Sequence, residues 1–589
     1  MKRRGMFILG AGVLVAACTS SPTSNITTPI SFSNNPCSPP GTLQLNVAEA
    51  ATIDCSGGGT VLTVAGNGAS YLIVAQFATN LASNLPVEYT FQTGSIAASE
   101  LSGQRVAALR AAAAAASAAH GGSEFAAGPG AMQRSFESAL FARARSGLQS
   151  GALDMSFARS RAAAASARLV GPPPPIGSYR SFRVATSLTG NSYGSTTAQL
   201  AYVGDNIMIY IDSAPPAGGF TQSQLTGYGQ LFDHRLDSID LVNFGPPSDV
   251  DQNGRVIMLL SQLVNSITPA STCASEGYVA GFFNPEDFNG PGDQNSNQGE
   301  IFYSVVPDPS GTVSCSHTVA NVDADIPGTF LHELQHLINF SQHVIVEGGN
   351  TQSSWLDEGM SIVAEELGSI YWEQQCPPPS CRANAGQLFP DSSQGFIENF
   401  FVNSYAYALL PDTVSLTLHN DSQLGFEWRG GDWLLVRYLA DHYPGALAAL
   451  ETAPSDGTAA IAAVAGQSFT SVFASFGLAL YADSLPGLAR TTAPFADRFV
   501  SRNLRQLWNR AYVTEGPSSD FPLPMPLQLF AVTSDTSTYI MNPGAMSFWR
   551  LDTPANEATV SIRFASPSGG AFSNALRAQY AVLRLPPGQ

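Results

Sequence analysis

Two histidines set four residues apart are the first feature with chemistry in it, in the stretch Thr329-Phe330-Leu331-His332-Glu333-Leu334-Gln335-His336-Leu337-Ile338-Asn339-Phe340. On a helix, residues i and i+4 share one face a turn apart, so His332 and His336 can hold one metal ion between them. Glu333 falls beside the first histidine on the adjacent face, where it can reach a metal-bound water without being a ligand. A catalytic zinc takes a third protein ligand and keeps one position open. The chain has 8 histidines, and His317, His343, His419 and His442 compete for that place with many carboxylates. An extended zinc pattern would put glycine three and histidine six residues beyond His336, but Asn339 and Gln342 stand there. A helix that simply continues carries His343 about 10 Å past His336, too far for the same ion.

The better third ligand lies in Trp355-Leu356-Asp357-Glu358-Gly359-Met360-Ser361-Ile362-Val363-Ala364-Glu365-Glu366-Leu367. Leu356, Met360, Val363 and Leu367 recur at helical spacing and predict a second amphipathic helix. Glu358, near its start, can point across at the first helix. His332, His336 and Glu358 then make a two-histidine, one-glutamate set suited to a single catalytic Zn2+.

This arrangement resembles the gluzincin metallopeptidases. Three stretches are similar to the hyicolysin-type family, peptidase family M30: His332 to Asn339, Trp355 to Glu365, and Gly245-Pro246-Pro247-Ser248-Asp249-Val250-Asp251-Gln252-Asn253-Gly254. The resemblance covers residues 180 to 480 and implies a zincin-like catalytic domain with a helical active-site half. It also implies a zinc-dependent endopeptidase acting on protein or peptide, with Glu333 as general base and then general acid. Thermolysin-like members carry an acid four residues after the third ligand, where this chain has Ile362; Asp357 or Glu365 is left to supply the carboxylate that orients a histidine. The donor for a developing oxyanion stays open among Tyr405, Tyr407, Arg437, Tyr438 and His442. A rival reading is a non-catalytic surface lipoprotein that uses a metallopeptidase-like domain to bind a partner, although binding alone does not need His332, Glu333, His336 and Glu358 intact.

Around this centre, short apolar runs broken by glycine predict a β domain over residues 37–96. An Ala-, Arg- and Ser-rich stretch ending in Pro172 to Pro175 predicts helix over 97–178 without a bulky apolar stripe, hence a linker or pro-segment. Strands followed by helices predict an α+β metallopeptidase domain over 179–515, and alternating runs predict a second, sandwich-like β module over 516–589. The run Gly299 to Val306 is expected as a strand, either an edge that pairs with extended peptide or an internal one. Asp249, Asp251 and Asn253 with Gly254 copy the opening of a calcium loop. Leu260 stands where an EF-hand needs glutamate, so a turn feeding the strand Val256 to Leu260 is the favoured reading and Ca2+ a weak expectation. Asp287, Asp293, Asn295 and Asn297 make a similarly weak claim.

The chain opens with Lys2, Arg3 and Arg4, an apolar run from Met6 to Ala17, and Cys18 directly after Val15-Ala16-Ala17. That pattern reads as an export signal over 1–18, too short to span a bilayer. It resembles a bacterial lipobox, which implies lipid on Cys18, a polar tether over 19–36, and placement at the outer membrane or cell surface. The other six cysteines, Cys37, Cys55, Cys273, Cys315, Cys376 and Cys381, cluster in pairs and suggest three local disulfides. With 27 basic residues against 45 acidic ones the net charge is −18, which argues against nucleic acid as a partner. Oligomeric state is not readable.

Overall fold

The computed structural model describes residues 41–55, 61–81, 86–93, 131–165, 172–375, 396, 398–418, 427–488, 498–515, 521–534 and 537–589. Near the N-terminal end are strands β1 (Ala50–Asp54), β2 (Val61–Ala65), β3 (Ser70–Phe77) and β4 (Val87–Thr93). The middle of the chain holds β5 (Tyr179–Ala185), β6 (Tyr193–Val203), β7 (Ile207–Asp212), β8 (Val256–Leu260), β9 (Gly281–Phe283) and β10 (Ile301–Ser304). Strands β11 (Phe530–Ala531), β12 (Thr538–Met541), β13 (Met546–Asp552), β14 (Thr559–Ala565) and β15 (Ala578–Arg584) come last. The helices that bear on the site are α1 (Ala131–Ser150), α2 (Ser156–Ala165), α3 (Val319–Phe340), α4 (Ser354–Gln375), α5 (Glu427–His442) and α6 (Phe469–Ala482). The chain is thus mixed α+β.

The middle strands form one sheet in the order β5-β6-β7-β8-β10-β9. Pairing is parallel from β7 to β8 and from β8 to β10, and antiparallel elsewhere, including the edge strand β9 against β10. Every residue of β8 is buried, as expected of an unbroken Val-Ile-Met-Leu-Leu run covered on both faces. The run Gly299 to Val306 contains β10, which is internal; the edge belongs to the shorter Gly281–Phe283. Helix α3 packs along β9 and β10, and α4 is held between α3 and α5.

Two expectations are corrected here. The two terminal β segments are not separate modules: their strands interleave in a five-stranded sheet, β1-β15-β3-β13-β11, and a four-stranded one, β12-β4-β14-β2. The shared core includes Phe91 stacked on Trp549 at 4.4 Å. Alternation marks each strand but does not name its partner, so two half-sandwiches look like two modules. The segment read as a linker or pro-segment without an apolar stripe does carry one and packs on the body, because Met132, Phe136, Leu140 and Ala144 of α1 are buried at i, i+4 spacing. Alanine-rich surroundings hide that stripe in composition. The run Ala111 to Ala116 lies outside the described residues.

The sandwich joins the α-helical half through α6. Gln76 Nε2 donates to the Phe473 carbonyl at 2.8 Å and Gln579 Nε2 to the Thr470 carbonyl at 3.0 Å. Among the described residues no single helix is long and apolar enough to cross a membrane.

Candidate metal centre

Helix α3 begins at Thr318, whose hydroxyl accepts from the Asn321 amide while the Asn321 side chain reaches back to the Thr318 amide. From there the helix is increasingly buried, and from Phe330 to Phe340 every residue is. His332 and His336 emerge on the face turned to α4. Their Nε2 atoms are 3.1 Å apart, and the Glu358 carboxylate oxygens lie 3.6 Å from His332 Nε2 and 3.7 Å from His336 Nε2. Ligands held about 2.0–2.1 Å from a tetrahedral ion sit roughly 3.3 Å from one another. The three side chains predicted to gather do so, all of them buried.

Close helix packing puts Glu358 there. Gly359 beside it faces α5, where a Cβ would come within 2.8 Å of Val436 Cγ2 and 3.0 Å of the Asp432 carbonyl oxygen. Any larger side chain would push α4 away and draw Glu358 with it.

Both carboxylates weighed as orienting groups take part. Glu365 Oε1 is 2.7 Å from His332 Nδ1, which sets that imidazole's Nε2 toward the ligand cluster. Asp357 Oδ2 is 3.1 Å from His336 Nδ1, close but without hydrogen-bond alignment. Behind them, Glu451 accepts from Gln335 Nε2 at 2.9 Å and from Asn339 Nδ2 at 2.6 Å, holding the rear of α3.

The electrostatics are those of a site built around a cation. Burial pushes the Glu333 carboxyl up to about 8, with Glu137 and Glu358 adding to the effect. Burial raises Glu358 too, against the pull of Arg429. At His336 burial opposes protonation, yet Asp357, Glu358 and Glu333 outweigh it and raise the imidazole to about 10. His332 goes the other way, held well below its usual range by burial and by the positive charge on His336. Glu358 Oε2 is buried without a hydrogen bond, although Arg429 Nη2 stands 3.1 Å away. A buried carboxylate and two imidazoles facing one point fit a divalent metal ion with nitrogen and oxygen ligands.

Two participants escaped sequence reasoning. Arg429 of α5, fully buried, faces Glu358 and pairs with Glu137 of α1. The five candidates for the oxyanion role have neighbours of their own. Tyr405 bonds the backbone of Leu523, Arg437 pairs with Glu366, Tyr438 packs on His442 and Phe476, and His442 bonds the Arg498 carbonyl. Tyr407 lies buried with Asp432 and Asp412 as its charged neighbours. A lone arginine in an amphipathic helix carries no periodic signal, so only packing reveals it. His343 falls in a π-helical turn, Ser341–Val346, continuing α3; it bonds the Asn350 carbonyl at 2.8 Å and stays out of the cluster. His317 lies against the disulfide between Cys273 and Cys315. His419 lies outside the described residues.

A largely apolar cleft opens beside the ligands, with Glu333, His336, Phe282, Phe283 and Phe340 among its walls. Helix α1 forms the facing wall. Phe141 meets the His336 ring edge-on at 5.7 Å. Gln133 Nε2 donates to the Gly281 carbonyl at 2.8 Å, and its Oε1 accepts from the Ala280 amide at 2.9 Å. One side-chain amide thereby occupies two backbone groups at the sheet edge.

Over 194 residues the chain is 27% identical to the neutral metalloprotease ShpI of Staphylococcus hyicus. The relationship is to a metalloprotease. It spans 33% of this chain and 40% of that protein, and the chain matches no protein-family model. Of the expected disulfides, Cys273–Cys315 is formed and Cys55 is disulfide-bonded; Cys18, Cys37, Cys376 and Cys381 lie outside the described residues.

Proposed function

We propose that this chain is a zinc-dependent endopeptidase with a gluzincin, zincin-like catalytic domain of the hyicolysin type, exported and tethered to a membrane through lipid on Cys18. The carrying observation is the convergence of His332 Nε2, His336 Nε2 and the Glu358 carboxylate, with separations of 3.1, 3.6 and 3.7 Å. The likeness to a metalloprotease supports it, and so does the bonding of both histidines' outer nitrogens or their approach by carboxylates. A binding-only lipoprotein has no physical need for this set.

Zinc held by these three side chains would polarise a peptide carbonyl and make a water acidic at neutral pH. Everything else falls to the chain's own groups. Glu333, buried next to His332 on α3, takes the proton of the attacking water and returns it to the departing amine nitrogen. Strand β9 lies at the edge of its sheet, where an extended peptide could pair only beyond the Ala280 and Gly281 groups that Gln133 holds, and Phe282, Phe283 and Phe340 provide an apolar wall for its side chains. Glu365 and Asp357 keep the two imidazoles turned inward.

Metal content decides the reading. The purified protein is expected to hold one zinc per chain, to lose casein hydrolysis on treatment with 1,10-phenanthroline, and to recover it with one equivalent of zinc. Folded protein without zinc, or hydrolysis that survives chelation, would overturn it. The α1 wall gives a second expectation. Phe141→Ala removes a ring from above His336 without touching a ligand and should raise kcat/KM for casein about threefold to tenfold, corresponding to about 1 kcal/mol of contact released. A fall in kcat/KM would show that Phe141 grips substrate rather than obstructing it.

A further inference from the structure

A second group of oxygen ligands lies in the loop before β8. Asp249, Asp251 and Glu300 each offer a carboxylate oxygen, all within 4.8 Å of one another. Gln252, with φ 61°, and Gly254, with φ 68°, turn the backbone left-handed and curl the loop. Across from it, Gly299 brings the approach to β10 so close that a Cβ there would stand 3.0 Å from Asp251 Oδ2.

Acidic loops are common, and this one is set apart by Glu300. Its side chain is 1% exposed. Oε1 accepts from Ser248 Oγ at 2.7 Å and from the Val250 amide at 2.8 Å, while Oε2 is buried with no hydrogen-bond partner. Burial and the neighbouring Asp251 push its carboxyl up to about 7. An ionised oxygen buried without a partner costs several kcal/mol, and no arginine makes an ion pair with Glu300 among the described residues. Arg161 spends its donors on the carbonyls of Val250 and Asp251 instead, and Arg180 on that of Asn297.

The other acid-rich loop differs. Asp287 accepts from the Tyr303 hydroxyl at 2.6 Å and from Asn297, and Asp293 accepts from Asn289 Nδ2 and the Asn295 amide. Asp249 and Asp251 likewise accept within their loop, from the Gly254 amide and from Asn253, but neither Asp287 nor Asp293 leaves a buried oxygen without a partner, as Glu300 does.

We propose that Asp249, Asp251 and Glu300 bind a calcium ion, with the buried Glu300 Oε2 as its inner ligand. All three donors are hard oxygens with no nitrogen or sulfur among them, which selects calcium over zinc. The EF-hand comparison fails at Leu260 because the closing glutamate comes from the residue just before the neighbouring strand β10, 40 positions further along, instead of from the end of the same loop. Bound there, calcium ties the entry of β8 to the entry of β10. Ser248 Oγ is also 3.0 Å from Ser341 Oγ at the end of α3, so the ion braces the frame that carries His332 and His336 without belonging to their site.

The test uses the full-length protein loaded with zinc and freed of calcium by a selective chelator. Titration calorimetry with calcium chloride should show one equivalent bound. The melting temperature should rise by a few degrees in millimolar calcium and not in magnesium. Glu300→Gln keeps the shape of the side chain but removes its charge, so it should melt at or above the calcium-free parent while its calcium affinity falls at least about tenfold. Asp249→Asn, in the partly exposed part of the loop, should show the same loss of affinity and settles the matter if the first variant does not fold. Zinc content should be unchanged in both. Absence of calcium binding in the parent protein, or full affinity retained in Asp249→Asn, would overturn the assignment.

Discussion

Replacing Glu333 with glutamine is expected to lower casein hydrolysis by about 10²–10⁴-fold and to leave the bound zinc in place. The side chain stands outside the ligand triangle of His332, His336 and Glu358, so the metal loses nothing it binds. Folding should not suffer either. Burial pushes the Glu333 carboxyl up to about 8, so in the metal-free protein at neutral pH it is largely protonated, and glutamine matches that neutral form in size. Folded pKa above unfolded pKa means that the ionised residue opposes folding at pH values above its unfolded value, and the amide removes that cost. Zinc analysis, a melting curve and casein hydrolysis on one preparation check all three parts. Zinc lost together with activity would make Glu333 a ligand and rule out its role as the proton carrier.

Glu366→Ala should produce the largest loss of stability. This carboxylate is fully buried on the far side of α4. It takes Arg502 Nε at 2.8 Å, Arg437 Nη1 at 3.2 Å and the Trp433 indole N–H at 3.0 Å. Burial alone would raise its pKa, but Arg437 and Arg502 outweigh burial and hold it below the ordinary value of 4.5. Truncation strands two buried guanidinium groups on partial partners, Asp441 and Glu373, and should cost about 3–5 kcal/mol. Because the folded pKa is depressed, the parent's contribution is complete above the unfolded value and disappears as acid carries the pH below the folded one. The gap between parent and variant in urea midpoint should therefore be wide at pH 7 and narrow as the pH falls from 4.5 through the depressed folded value. A gap that stays constant with pH would assign the loss to packing alone.

Much of the ligand set was legible because its spacing is a local property of helices. His332, Glu333 and His336 need only one turn of α3, and the apolar rhythm of Leu356, Met360 and Val363 marks α4 and aims Glu358. Both carboxylates offered as orienting groups, Asp357 and Glu365, lie on that same helix, and each comes to a different histidine. What could not be read is set by distance along the chain. Arg429 and Glu137 meet across 292 positions, and neither has neighbours that announce its role. The third oxygen of the proposed calcium group comes from Glu300, just before β10, so the loop motif looked truncated. Strand identity was readable from alternation, but strand partnership was not, and that is why one sandwich was taken for two modules.

The interleaved sandwich also has a bearing on how the molecule comes into being. Ala50 of β1 pairs with Leu583 of β15, and β15 lies between β1 and β3 in their sheet. The first four strands therefore wait, with open edges, through the synthesis of the whole middle of the chain before their partners exist. Closing a loop that long adds little to the entropic cost, which grows only with the logarithm of length, but it delays the step and prolongs the exposure of unpaired edges. The middle of the chain is in effect threaded through a clasp that β15 fastens, and a chain cut short of β15 keeps helices α3 and α4 but never fastens it.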